Sequence, residues 1–230
     1  LKQGDVWKEV DWQAALEYVA NGLKQIKADH SAASIGALVS PHSTVEELYL
    51  AGALVRGLGS DNIDYRLRNA EFPAIEGARY LGTSIASLST LQRVLVVGSN
   101  LRKDHPLFAQ RIRQAVRKGG AVTAINSAAY DWAMPVAYTL TVPAAQWAQA
   151  LMDVASAIAL DKGISAPAAG NATDAAKAIA KSLLGGERKA VLLGNAAAHH
   201  ANASSLLALA NWIGEQTGAS VGYLTEAANT

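Results

Sequence analysis

At 230 residues, half of them hydrophobic, the chain is long enough for one large domain or two packed ones with a substantial core. Its 20 basic and 19 acidic residues leave a formal net charge of +1 with no basic block, which gives no support for a nucleic-acid or charged-membrane partner. With no cysteine, disulfides, cysteine-held iron–sulfur clusters and thiol nucleophiles are excluded within these residues, and no apolar run reaches the roughly 20 residues that span a bilayer.

In chain order, Val6 to Val10 alternates like a short strand, and Asp11 is placed to cap a helix marked by Leu16, Val19, Ala20, Leu23 and Ile26. Ser34 to Val39 predicts a short buried strand with Ser40-Pro41-His42 at its end. Ser43 and Glu46 stand at capping-box spacing before a second helix through Val45, Leu48, Tyr49, Gly52 and Val55, ending near Gly57 to Gly59. Asp61 to Arg68 has no clear period and reads as a loop or short edge strand. Asn69 to Leu91, rich in small residues, reads as a linker helix and surface loop.

The stretch from Arg93 to Asn126 carries the strongest pattern. Val94 to Val97 is an apolar, mostly β-branched run stopping at Gly98, as in a strand buried on both faces of a parallel sheet. Phe108, Ile112, Ala115 and Val116 then share one helical face, Gly119-Gly120 ends the helix, and Ala121 to Ile125 restarts a strand. Downstream, Tyr130-Asp131-Trp132 is a loop and Tyr138 to Val142 a strand. Helices are expected over Ala144 to Leu160, Ala172 to Leu184 and Ser204 to Thr217, with a strand at Lys189 to Leu193. Strands alternating with helices this regularly predict an α/β fold with mainly parallel sheets.

In open parallel sheets a ligand sits at the carboxyl ends of the strands. That edge is Gly98-Ser99-Asn100 with Asn126-Ser127, so Gly98, Ser99, Asn100 and Asn126 are the candidate nucleotide-binding residues. The alternative is that Gly98 only makes the turn and Asn100 only caps it. Asp104-His105-Pro106 stands before a helix, with Asp104 placed as a cap and Pro106 suited to the first turn. Among His30, His42, His105, His199 and His200 only the last two are near in sequence, and adjacent residues diverge on a helix, so surface or capping roles are expected rather than a metal site. Arg66 and Arg68 could grip an anion together or serve as inter-domain ion pairs.

The order of motifs resembles the molybdopterin oxidoreductase superfamily. Trp7, Val10, Asp11, Trp12 and Ala15 match its W-x-x-[VI]-[SD]-W-x-x-A entry segment. Ser34-Ile35-Gly36, Thr44-Val45-Glu46-Glu47 and Gly59-Ser60-Asp61-Asn62-Ile63-Asp64 are similar to later segments, as is Val97-Gly98-Ser99-Asn100 followed by His105-Pro106. Within the superfamily, His105 to Arg113, Leu192-Leu193-Gly194-Asn195 and Ala227-Ala228-Asn229 look most like the large iron–sulfur subunits of bacterial NADH:quinone oxidoreductase, respiratory complex I.

The resemblance implies a formate dehydrogenase/DMSO reductase-like fold, with 1–66 plus 187–230 as one discontinuous α/β domain around an inserted dinucleotide-binding-like domain, 67–186. In catalytic relatives a metal-ligating Cys, selenocysteine or Ser follows the N-[VI]-D segment; here Ala70 and Glu71 fall there, and alanine cannot ligate molybdenum. The implied function is a scaffold: a C-terminal, cysteine-free portion of a subunit whose iron–sulfur clusters lie elsewhere in the parent chain. It would meet other subunits of the complex I peripheral arm on the cytoplasmic side of the bacterial inner membrane, without inserting. One rival is a domain binding molybdopterin guanine dinucleotide through Gly98, Ser99, Asn100 and Asn126, and another is a free-standing nucleotide-binding module.

Overall fold

The computed structural model describes residues 1–40, 42–65 and 80–224. The chain forms two compact units, Leu1–Leu67 and Arg68–Thr230.

In the first unit, β1 (Lys2–Gln3) and β2 (Val6–Trp7) form an antiparallel hairpin, so the predicted strand is shorter than its alternation and has a partner upstream. Gly4, at φ +60°, makes the turn between them. Helix α1 (Trp12–Asp29) begins as predicted: Asp11 Oδ1 accepts the Ala14 amide at 2.8 Å. Strand β3 (Ala37–Leu38) covers only part of the predicted strand and is not buried, since Leu38 is 63% exposed. Helix α2 (Val45–Gly57) has its capping box one residue later than Ser43/Glu46: Glu47 N donates to Thr44 Oγ1, and Thr44 N to Glu47 Oε2. Strand β4 (Ile63–Asp64) pairs parallel with β3, the edge strand foreseen for this stretch.

The second unit is built on one parallel sheet. Strand β5 (Arg93–Val97) leads through a short helix α3 (Leu101–Asp104) into α4 (Pro106–Arg117) and then β6 (Ala121–Asn126). Then come β7 (Tyr138–Thr141), α5 (Trp147–Lys162), α6 (Asp174–Leu184), β8 (Lys189–Leu193), a short α7 (Asn195–Ala198), α8 (Ala203–Thr217) and β9 (Ser220–Tyr223). The strand order is β7-β6-β5-β8-β9, all parallel. Counted along this unit it is 3-2-1-4-5, the doubly wound order, with its topological switch between β5 and β8.

The two-residue period of the central strands splits the interior into two cores. Leu95, Val97, Val191 and Leu193 face one side with Leu151, Val154 and Ile158 of α5, Ile179 of α6 and Leu206 and Ile213 of α8. Val94, Val96, Val122 and Leu192 face the other with Ile112 of α4, Leu88, Leu91 and Trp132. Strands covered on both faces need no polar alternation, and these show none.

The structure corrects two further expectations and adds one strand. Residues 189–223 do not join 1–66: β8 and β9 hydrogen-bond into the sheet of β5, so the described part of 187–230 belongs with 93–141. The 69–91 stretch is not all linker and surface, because Leu88 and Leu91 lie in the core beside α4. Strand β9 was not foreseen.

Candidate functional site

The carboxyl edge of the sheet brings the sequence-predicted residues together. Gly98 ends β5 with φ +67°, a left-handed conformation that suits glycine. Its backbone is held on both sides: Gly98 N donates to Ile125 O at 2.9 Å, and Gly98 O accepts from Ala196 N at 3.1 Å. A side chain there would meet the Trp147 ring and Ala197 N, each at 2.8 Å. Ser99 is 2% exposed and Asn126 1% exposed, and Ser99 N donates to Asn126 Oδ1 at 3.0 Å.

Asp104 has a different role from the one its position suggested. It does not cap α4: the capping position is His105, which makes no side-chain cap bond. Its carboxylate instead turns back over α3, where Oδ2 accepts from Ser99 Oγ at 3.1 Å and from Asn100 N at 2.9 Å. Asn100 makes no side-chain cap bond either. Pro106 does open α4, as foreseen.

The donors that a nucleotide phosphate would take, Ser99 N, Ser99 Oγ and Asn100 N, are thus paired with acceptors of this chain. At the topological switch the ends of β5 and β8 lie close together. Gly194 N donates to Val97 O at 2.7 Å, and a side chain on Gly194 would lie 2.3 Å from Ser99 Cβ. Asn126 Nδ2 and Trp147 Nε1 are buried without a hydrogen-bond partner. One amide group left over beside three donors already taken is a poor phosphate cradle.

The histidines do not gather. His30 and His42 are exposed. His105 is not a surface residue: it is 8% exposed and stacks on Phe108 at 5.7 Å. His200 Nδ1 accepts the Asn202 amide at 2.9 Å, which leaves the ring proton on Nε2, 3.0 Å from Ala144 O. Among the described residues no group of three or more His, Asp or Glu is placed to hold a metal. Arg66, Arg68, Ala70 and Glu71 lie outside the described residues. Asp131, in the loop after β6, has its carboxyl held below the usual range, first by the Ala133 amide it accepts and then by the Arg102 guanidinium paired with it. That ion pair was not legible, because nothing in the sequence aligns residues 102 and 131.

A doubly wound parallel sheet with a glycine at its central strand end defines a nucleotide-binding type of fold. The family is more specific: the molybdopterin oxidoreductase model matches residues 1–220, and the chain belongs to that family. It is 34% identical over 112 residues to an NADH-quinone oxidoreductase subunit of Rickettsia felis, covering 48% of this chain and 16% of the relative. It is 32% identical over 127 residues to the probable oxidoreductase YjgC of Bacillus subtilis, covering 52% and 13%. A putative formate dehydrogenase of Staphylococcus haemolyticus is 31% identical over 126 residues, covering 52% and 13%. The matched stretch thus spans only a small part of each relative's length. No helix among the described residues is long and apolar enough to cross a membrane.

With Ser99 N, Ser99 Oγ and Asn100 N all bonded to acceptors of this chain, the residues described do not fit the phosphates of molybdopterin guanine dinucleotide.

Proposed function

We propose that this chain is the C-terminal, molybdopterin-oxidoreductase-like portion of an iron–sulfur subunit of NADH:quinone oxidoreductase. It acts as a scaffold in the peripheral arm, on the cytoplasmic side of the bacterial inner membrane, and holds no molybdenum. Electron transfer from NADH toward quinone belongs to the whole complex, through clusters ligated elsewhere in the parent chain.

The observation that carries this reading is the pairing of Ser99 and Asn100 with Asp104 and Asn126, which takes up within the protein three of the donors that a dinucleotide phosphate would use. The relative named as an NADH-quinone oxidoreductase subunit and the alanine at position 70 support it. The test is the coding sequence upstream. A segment with cysteines at iron–sulfur spacing supports the proposal, and its absence overturns it.

A second reading, a dinucleotide-binding domain of a molybdenum or tungsten oxidoreductase, is favoured by one atom, the unpaired Asn126 Nδ2. The probable oxidoreductase and putative formate dehydrogenase relatives point the same way. Metal analysis separates the two.

A further inference from the structure

The amino-terminal edge of the five-stranded sheet, opposite Gly98 and Asn126, carries a cluster of cations. Arg93 opens β5 and Lys189 opens β8, facing each other in register on adjacent strands. Arg188 precedes Lys189. Arg117 ends α4, Lys118 is its C-terminal cap, and Lys181 stands in the last turn of α6. Arg93 Nε and Lys181 O each lie 3.7 Å from where a Gly185 side chain would start, so the α6 end and the β5 start are close.

Part of this charge has a local explanation. Cations at helix C-termini complement the helix dipole, which accounts for Arg117, Lys118 and Lys181. Strand starts have no comparable dipole, so Arg93, Arg188 and Lys189 are left without that reason.

Nor are they neutralised among the described residues. Among the described residues the ion pairs are Arg56–Asp61, Arg102–Asp131 and Lys177–Asp174, and none of them uses this cluster. Glu187 is the carboxylate beside it in sequence. Asp161 and Glu215 end α5 and α8, which are tied to each other by Lys162 Nζ donating to Gln216 O at 2.6 Å; Glu215 lies beside β9, beyond β8.

The arginines are also pre-positioned. Arg93 Nη1 donates to Gln92 O at 2.7 Å, and Arg188 Nε to Thr90 O at 2.8 Å. Each guanidinium has five N–H groups, so one backbone bond fixes the plane and leaves the rest of the fork for an outside carboxylate.

We infer that this edge is a docking surface for an acidic polypeptide, whose carboxylates are received by Arg93 and Arg188, with Arg117, Lys118, Lys181 and Lys189 around them. The chemistry favours a polypeptide over a small anion. Helix α4 covers one face of the sheet and α6 the other, so the cations straddle three layers, on the order of 20 Å across. That width suits a protein interface and is too great for one phosphate. A nucleic acid is disfavoured by a net charge of only +1 and by the lack of aromatic residues among these positions for bases to stack on. The surface is read from its charges alone and does not depend on the respiratory reading, so either can fail without the other.

The test is fluorescence anisotropy of a labelled decaglutamate peptide with the 230-residue chain at low ionic strength. Saturable binding is expected, weakened about 10-fold by R117Q/K118Q/R188Q, each exposed charge contact accounting for roughly a 2-fold step. K8Q/K24Q/K27Q, removing the same charge from the first unit, should change binding less than about 2-fold. The double variant R117Q/K118Q leaves the Arg93 and Arg188 hydrogen bonds intact and should show an intermediate loss, which keeps the result independent of any folding defect at Arg188. No saturable binding, equal losses in the two triple variants, or tighter binding of oligothymidylate or phosphatidylserine vesicles than of the peptide would each overturn the inference.

Discussion

Gly98 is the residue on which the carboxyl edge turns. Its φ of +67° costs a side-chain-bearing residue about 1–2 kcal/mol, and the 2.8 Å approaches to Trp147 and Ala197 add an overpacking cost of about 1–3 kcal/mol. Gly98→Ala should therefore lower the unfolding free energy by about 2–5 kcal/mol in urea titrations; an unchanged midpoint would show that the β5 end is not held as described. Asp131 gives a pH-dependent prediction. Its folded-state pKa is depressed, so the stability it contributes is present above the ordinary carboxylate value and is lost as pH falls through the lowered one. Arg102→Gln should move the Asp131 midpoint, followed by carboxylate NMR, upward toward the ordinary value; no movement would assign the depression wholly to the Ala133 amide. At this scale the sequence was legible where a residue acts on its near neighbours along a helix, as Asp11 does on Ala14. It failed by one residue at Thr44/Glu47, because Ser43 and Thr44 are both competent caps. It failed outright at Asp104, whose partners lie behind it in the chain.

Elements follow from pattern where both faces of a strand are buried. The runs at β5, β6 and β8 are apolar enough to be placed within a residue or so of their observed bounds, since few other structures bury four or five consecutive residues. β9 escaped because Gly222 interrupts its apolar run, and the reason for that glycine is tertiary. A side chain there would lie 2.1 Å from Leu81 O, and Tyr223 N donates to Tyr80 O at 2.8 Å, so residues 80–82 run along the outer edge of β9. Gly222→Ala should push this covering segment off the edge. The expected result is faster amide exchange at Tyr223 with β5 and β8 still protected, and a loss of about 1–3 kcal/mol in stability. Unchanged protection at Tyr223 would mean that the segment is not bonded there.

For the whole molecule, the α/β class and parallel sheet were legible, and the partition of the chain was not. Hydrophobic periodicity says that 189–193 is a buried strand but not which strand it lies beside, and β8 pairs with β5 across nearly a hundred intervening residues. The exposed apolar residues of α1, among them Trp12, Leu16 and Val19, contrast with the two closed cores of the second unit. Family membership was legible from several short motifs in fixed order, and the match over 1–220 bears it out.

The central claim is that the Ser99 and Asn100 donors of the carboxyl edge are taken by Asn126 and Asp104 and that the edge carries no dinucleotide. The most direct measurement is metal and pterin content of the intact parent protein, purified natively, by inductively coupled plasma mass spectrometry and by fluorescence of the oxidised pterin. The account predicts iron without stoichiometric molybdenum, tungsten or pterin. One molybdenum or tungsten per chain, together with a released pterin, would contradict it.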